Sequence, residues 1–299
     1  MLTIFSTPKP FRNHIGVIQT NAIQSWVLLS PQCEVILFGN EEGTDKIVAQ
    51  FGIRHIPEAE CNEYGTPLVS DMFKIAQDIA SYPLMCYVNA DIILMSDFLP
   101  AICQVKGQPF LISGQRWDVD LKEPIDFDKP DWETYLRAHV AKYGKLHPRT
   151  GLDYFVFPRG MYRDIPPFAI GRPAWDNWVI YKARSLAVPV IDATKMVTVI
   201  HQNHGYSHVQ MGKVGTWEGP EAERNRALAG GSEHSFNLNH ATLLLTHHGL
   251  KRGLTIKHLY FRLESMSVLA PHLRFLGIPK KILIVLSKTI RSMLGIAKN

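Results

Sequence analysis

Residues 86–94 read Cys86-Tyr87-Val88-Asn89-Ala90-Asp91-Ile92-Ile93-Leu94. Two apolar runs bracket a short polar core, Asn89-Ala90-Asp91. The flanks read as buried strand, being apolar and much too short to span a bilayer. An acid inside such a run is costly to bury unless it is paired or binds a cation. Asn89 and Asp91 are therefore expected where the strand ends, at an edge facing a cleft. Ligands of open α/β sheets sit outside the carboxyl ends of the strands. A carboxylate there suits a hard divalent ion held against a diphosphate. The alternative is a strand that ends in a turn, with Asp91 capping the next segment.

Upstream, strands and helices alternate. Leu2 to Phe5 reads as a strand, and Ser6-Thr7-Pro8-Lys9-Pro10-Phe11 as a Pro-broken loop. Ile15, Ile18, Ala22, Trp26 and Leu29 fall at helical spacing. Val35 to Phe38 is a second strand closed by Gly39-Asn40, Asp45 to Phe51 a helix, and Ile53 to Ile56 a third strand. Pro67 to Ser81 has one apolar face (Leu68, Met72, Ile75, Ala76, Ile79), with Asp71 off it. This rhythm predicts a parallel sheet with helices on its faces.

Downstream, Phe98 to Val105 reads as a short helix with Asp97 as N-cap, and Pro109 to Ser113 as a strand. Gly114-Gln115-Arg116-Trp117-Asp118 follows, where Arg116 suits a phosphate and Trp117 a sugar face. Trp132 to Tyr143 reads as a helix inside a long insertion, Asp118 to Arg149, of the length that binding loops and lids have. Gly151 to Pro158 is an apolar strand carrying one carboxylate, Asp153. Val188 to Asp192 and Met196 to Ile200 complete the strands, and His201-Gln202-Asn203-His204-Gly205-Tyr206-Ser207-His208 follows.

The Asn89-Ala90-Asp91 stretch resembles the D-x-D element of GT-A fold glycosyltransferases, in a variant with Asn first. The resemblance covers roughly residues 1 to 210. It implies a Rossmann-like, mainly parallel sheet and a nucleotide-diphosphate-sugar donor, with Asp91 a Mn2+ or Mg2+ ligand and Asn89 near the donor ribose or phosphate. It places Ser6, Thr7 and the Phe38-Gly39-Asn40 turn at the base and ribose, with Ser70 and Asp71 as further donor contacts. Ala169 to Trp178, with the core Gly171-Arg172-Pro173-Ala174-Trp175-Asp176-Asn177, resembles the acceptor segment of the same family. There a glycine-rich turn precedes a helix that starts with an acid. A late histidine as a further metal or phosphate ligand is also a family feature. His204 is favoured for that role, with His201 as alternate. Residues i and i+3 of a strand face opposite ways, so the two share an ion only if the chain turns.

Transfer chemistry sorts the remaining groups. An acceptor hydroxyl needs a base in the transition state, and the leaving diphosphate needs its charge neutralised. Asp176 is assigned as base, for an inverting reaction. Asp153 is assigned an acceptor contact, with Trp175 and Trp178 stacking on sugar faces. The competing reading makes Asp176 an N-cap. Two residues depart from the family pattern: Asn89 supplies no charge to a metal, and the acidic pair expected at the acceptor helix is here Asp176 followed by Asn177.

Composition bounds these readings. The 299 residues are 46% hydrophobic and 20% charged, with a formal charge of +5. That suits one globular domain with an elaborated tail, or two small ones; the GT-A resemblance implies a domain over 1–250, divided into a donor half, 1–113, and an acceptor half, 114–250. An amphipathic helical tail covers 251–299. Cys33, Cys61, Cys86 and Cys103 form no C-x-x-C pair, which points to a reducing compartment and excludes a structural zinc site. No zinc-finger, RNP or helix-turn-helix pattern points to nucleic acid. The N-terminus lacks a signal-peptide pattern, and no run is long enough for a membrane span. The expected location is cytoplasmic. Lys257 to Leu269 and Pro279 to Ala297 are apolar and basic, which suits either packing on the domain or peripheral contact with the inner face of the membrane. The expected acceptor is a glycan or a lipid-linked sugar. The alternatives are a non-catalytic sugar- or nucleotide-binding module of the same fold, and a sugar nucleotidyltransferase. The latter usually has glycines in the first loop, absent from Ser6-Thr7-Pro8-Lys9-Pro10. A zinc hydrolase lacks its H-E-x-x-H.

Overall fold

The computed structural model describes residues 1–29, 31–107, 109–205, 216–270 and 289. The chain opens with β1 (Leu2–Ser6), α1 (Asn13–Val27), β2 (Cys33–Phe38), α2 (Thr44–Phe51) and β3 (Arg54–Ile56). Next come α3 (Val69–Ile79), β4 (Leu84–Val88), β5 (Ile92–Leu94), α4 (Phe98–Ile102), β6 (Leu111–Ser113) and β7 (Trp117–Val119). They are followed by α5 (Trp132–Tyr143), β8 (Lys145–Leu146), β9 (Tyr154–Pro158), α6 (Trp175–Ser185), β10 (Val190–Asp192) and β11 (Val199–Gln202). The last described elements are α7 (Pro220–Leu228), β12 (Leu243–Thr246), β13 (Gly249–Arg252) and α8 (Ile256–Leu269).

Among the described residues, nine strands form one sheet in the order β13-β12-β10-β6-β9-β4-β1-β2-β3. β9 runs against β4 and β6, and β13 against β12; the other pairings are parallel. The architecture is the α/β, Rossmann-like one expected. The sheet joins strands from both sides of residue 113, and the boundary set at 250 falls inside β13.

Alternation along each central strand feeds two cores. Leu2, Ile4, Cys86 and Val88 face one, with Ala22, Ile23 and Trp26 of α1. Phe5, Met85 and Tyr87 face the other, with Met72 and Phe73 of α3 and Trp175 and Val179 of α6. Successive strand side chains point to opposite faces, which is why one short strand serves both layers.

A second sheet, β5-β11-β7-β8, stands beside the first. The 86–94 run is thus two strands rather than one. β4 ends at Val88, and β5 pairs with β11 in the second sheet. Trp26 is buried and donates its indole N–H to the carbonyl of Ile92 at 2.8 Å, which anchors β5 to α1. Asp97 is not the side-chain cap expected of it. Its carboxylate reaches Thr198 and Arg137 instead, tying the start of α4 to β11 and α5. The hairpin β12–β13, which turns through His247-His248 into Gly249 (φ +85°), was not foreseen in the sequence.

Candidate active site

Asn89-Ala90-Asp91 is the crossing from one sheet to the other, and its backbone is held at both ends. Asn89 N–H donates to Asp153 O at 2.9 Å, and Ile92 N–H to Asn89 O at 3.1 Å. The Asp91 carbonyl accepts from Gln202, backbone at 3.3 Å and side chain at 3.2 Å. Gln202 is itself buried and held by Asn21 and the Ile18 carbonyl. Asn89 and Asp91 therefore stand at the carboxyl ends of β1 and β4. β9 begins at that rim because it runs antiparallel, and so Asp153 stands beside Asn89.

Asp91 Oδ2 lies 3.0 Å from His204 Nε2 and 3.8 Å from His201 Nε2. The three side chains offer ligand atoms within 4.8 Å of one another. The two histidines converge on Asp91 from the end of β11: His201 lies within the strand, Asn203 N–H still bonds to Val119 O at 2.9 Å, and His204 follows just beyond. Burial alone would raise the Asp91 carboxyl. The imidazoles of His201 and His204 and the ammonium of Lys9 outweigh it and hold the carboxyl well below the usual range. Its buried Oδ1 has no hydrogen-bond partner among the described residues. An orphaned carboxylate oxygen beside two imidazoles fits a divalent ion, and this mixed oxygen and nitrogen set suits first-row metals better than Mg2+.

Next to this cluster Arg116 bridges two acids. Its Nε donates to Asp118 Oδ1 at 2.9 Å, and its Nη1 pairs with Asp153 Oδ1. Asn89 Nδ2 also donates to that Asp153 oxygen, at 3.0 Å, while Tyr87 donates its hydroxyl to Asn89 Oδ1 at 3.0 Å. Asp118 in turn accepts from His147 at 2.6 Å. Arg116 thus joins the metal-capable half of the rim to the Asp153 half. Arg116→Ala is expected to destabilise the protein by about 3–5 kcal/mol, since it leaves two carboxylates without their shared cation. A urea midpoint within error of wild type would contradict this.

Asp176 lies in the first turn of α6, behind Ala174, the residue at the N-cap position, which adopts a left-handed conformation (φ +84°). It is therefore not the N-cap. Burial, reinforced by the charge of Asp153 and opposed by backbone amides, pushes its carboxyl up to about 6. That is where a general base works near neutral pH.

The other candidates divide. Ser6 and Thr7 reach the rim, but their hydroxyls donate to the carbonyls of Val88 (2.6 Å) and Phe38 (3.2 Å) and tie strands together. Asn40 lines a cavity of about 820 Å3 with Phe11, Thr20 and Lys46. The Asp71 carboxylate accepts the amide of Glu60 at 2.8 Å. The expectation that Trp175 and Trp178 stack on a sugar is corrected. Trp175 is 5% exposed, packed edge-on to Tyr87 with ring centres 5.0 Å apart; Trp178 is 7% exposed and packs on Phe168. Their faces belong to the core. His208 and the segment 279–297, residue 289 excepted, lie outside the described residues.

Three residues went unassigned in the sequence: Lys9, Asp118 and His147. Arg116 and Asp118 are spaced i, i+2 along a strand, a legible sign that they share a face. Nothing local marks Lys9 or His147. Lys9 is set in place by buried Gln19, which bonds both its backbone N–H (2.6 Å) and its carbonyl (2.8 Å).

No protein-family model and no curated protein matches the chain. Among solved structures it is similar to TarS 1-349 of S. aureus, at 11% identity over 67% of this chain and 60% of that one (TM-score 0.46). It is also similar to glucosyl-3-phosphoglycerate synthase of Mycobacterium tuberculosis in complex with Mg2+ and UDP, at 13% identity over 68% and 72% (TM-score 0.40). A third is the mannosyltransferase PcManGT of Pyrobaculum calidifontis in complex with GDP-Man and Mn2+, at 13% over 67% and 56% (TM-score 0.42). The chain spans less than two thirds of the first and third of these. At such scores the likeness is one of outline, and any assignment of activity rests on the chain's own geometry.

Proposed function

We propose that this protein is a metal-dependent glycosyltransferase of GT-A type, moving a sugar from a nucleotide-diphosphate sugar to a hydroxyl of a glycan or lipid-linked acceptor. The observation that carries the reading is a metal-capable Asp91–His201–His204 cluster and a buried acid poised near 6, Asp176, both of which feel the charge of Asp153. Asp91, His201 and His204 would hold Mn2+, or less favourably Mg2+. When bound, that ion supplies charge neutralisation for the leaving diphosphate. Lys9, whose ammonium feels the charge of Asp91, adds positive charge on the donor side. Asn89 orders the donor ribose or phosphate. Asp153 orients the acceptor, and Asp176 takes its hydroxyl proton as the bond to the sugar forms.

Residues 1–113 would supply most of the donor half and 114–250 the acceptor half. The test is a panel of nucleotide-diphosphate sugars with Mn2+. At least one is expected to bind and be slowly hydrolysed, with the rate falling at least tenfold on chelation. Binding with no turnover of any donor, with or without acceptors, would favour the non-catalytic module.

The tail is a second part of the proposal. No helix among the described residues is long and apolar enough to cross a membrane. α8 exposes Leu259 and Met266 on a chain that continues into the basic, apolar segment 279–297. Such a surface fits peripheral contact with an anionic membrane, and with it a cytoplasmic enzyme working at the inner face. Removing residues 279–299 is expected to reduce sedimentation with anionic liposomes at least fivefold. Unchanged sedimentation would end this part of the proposal.

A further inference from the structure

We infer that Asp118 is a positioning residue for the metal site, acting through His201, and that the long insertion exists in part to brace it. This rests on the metal reading above.

β7 and β11 run parallel, with Asp118 directly opposite His201 in register. Asp118 Oδ1 is 3.4 Å from His201 Nδ1, while the other ring nitrogen, Nε2, is the one that faces Asp91 at 3.8 Å. The imidazole is bracketed: a carboxylate at one nitrogen, the ion cluster at the other. An N–H at Nδ1 directed to Asp118 leaves the Nε2 lone pair free for an ion and fixes the ring plane. At 3.4 Å the contact is long for a hydrogen bond. Nδ1 has no hydrogen-bond partner within normal geometry among the described residues, so nothing competes with Asp118 for it.

Asp118 is in turn held more tightly than an ordinary surface acid. Arg116 Nε donates to Oδ1 at 2.9 Å, and His147 Nδ1 lies 2.6 Å from Oδ2. β8 closes the insertion against β7, pairing Lys145 with Asp118, and His147 N–H donates to Arg116 O at 2.9 Å. The chain leaves the site at Asp118 and returns to it at His147. The residues between them pack as a separate apolar cluster, Leu136 and Val140 of α5 against Val119 and Ile200. The two ends of the insertion thus carry the carboxylate and the imidazole that steadies it.

The experiment measures metal binding by calorimetry on the full chain without donor, for wild type, Asp118→Ala, Asp118→Asn and His147→Ala. Each variant is checked for folding by circular dichroism. Loss of an outer carboxylate behind a histidine ligand typically weakens metal affinity 10–100-fold. Asp118→Ala is therefore expected to lose about that much affinity for Mn2+ and Co2+. Asp118→Asn, which keeps an acceptor oxygen at the same place, recovers most of the loss. His147→Ala gives an intermediate value.

Mg2+, which takes oxygen in preference to imidazole, is expected to change least. That selectivity separates positioning from general damage, which would weaken all three ions alike. Wild-type Mn2+ binding with equal affinity in folded Asp118→Ala would overturn the positioning role and leave the metal reading standing. Equal losses for Mg2+ and Co2+ would overturn it too. Wild type that binds no divalent ion at all would overturn both.

Discussion

Asp176→Asn is expected to stop turnover and to make the protein more stable. The two effects share one cause. Folding moves the Asp176 carboxyl from the ordinary aspartate range up to about 6. A carboxyl raised in this way binds protons more tightly folded than unfolded. Stability is then fullest below about pH 4 and declines as pH rises through 6, beyond which the loss is complete. The difference corresponds to about 3 kcal/mol. Partial exposure screens some of it, so about 1–3 kcal/mol is expected at pH 7.5. Asn keeps an oxygen to accept the amide of Asn177, which Asp176 Oδ1 receives at 2.9 Å, and carries no charge to desolvate.

Chemical melts at pH 4 and pH 7.5 should therefore superimpose for the two proteins at the lower pH and separate at the higher. Turnover should fall by about 10^2–10^4, as loss of a general base does, with donor affinity kept. The wild-type rate should rise with pH through about 6 and then level. A variant less stable than wild type at pH 7.5, or one retaining more than a tenth of the rate, would show that Asp176 is a structural acid.

The second large effect concerns Asp91. Mn2+ at a hundred times its dissociation constant should stabilise the wild type by about 2.7 kcal/mol, which raises the melting temperature by roughly 4 °C for a chain of this size. Asp91 supplies the only negative charge among the three candidate ligands. If Asp91→Asn weakens binding a hundredfold, the same Mn2+ concentration gives about 0.4 kcal/mol, a shift near the noise of a thermal melt. The metal-free variant should also lose stability. Removing the carboxylate takes away the negative charge that the Lys9 ammonium feels.

The carboxyl of Asp91 is held below the usual range. Its contribution is present above the ordinary aspartate pKa of about 4 and is lost as pH falls below it, the opposite sense to Asp176. The gap between wild type and Asp91→Asn should therefore close on acidification, where that for Asp176→Asn also closes but from the other side. A full Mn2+ shift in Asp91→Asn would place the metal elsewhere.

Much of the fold was legible because it is set by local pattern. β1, β2, β4 and α1 to α3 follow from alternation of apolar residues and from 3.6-residue spacing, and the structure moves their ends by only a few residues. Asp91 with His201 and His204 was legible for the same reason: an acid in an apolar run and a histidine pair after a strand are both costly oddities. The two tryptophans misled because an aromatic next to an acid reads the same whether it faces a sugar or a core. Trp175 and Trp178 fall on the buried side of α6 once α3 and β4 pack against it, and spacing within one helix does not say what lies opposite.

By itself, then, the chain of residues determined the alternating α/β order, the rim position of Asn89 and Asp91, and the residue types available for chemistry. These are matters of local periodicity and of the cost of burying charge. Only the tertiary structure decided that Asn89-Ala90-Asp91 bridges two sheets and that His204 reaches Asp91. It alone set Arg116 between Asp118 and Asp153 and brought His147 back across the insertion to Asp118. Arg116 and Asp118 aside, those partners are 29 to 113 residues apart, and contacts at such separations follow from strand order and register, which no local pattern encodes.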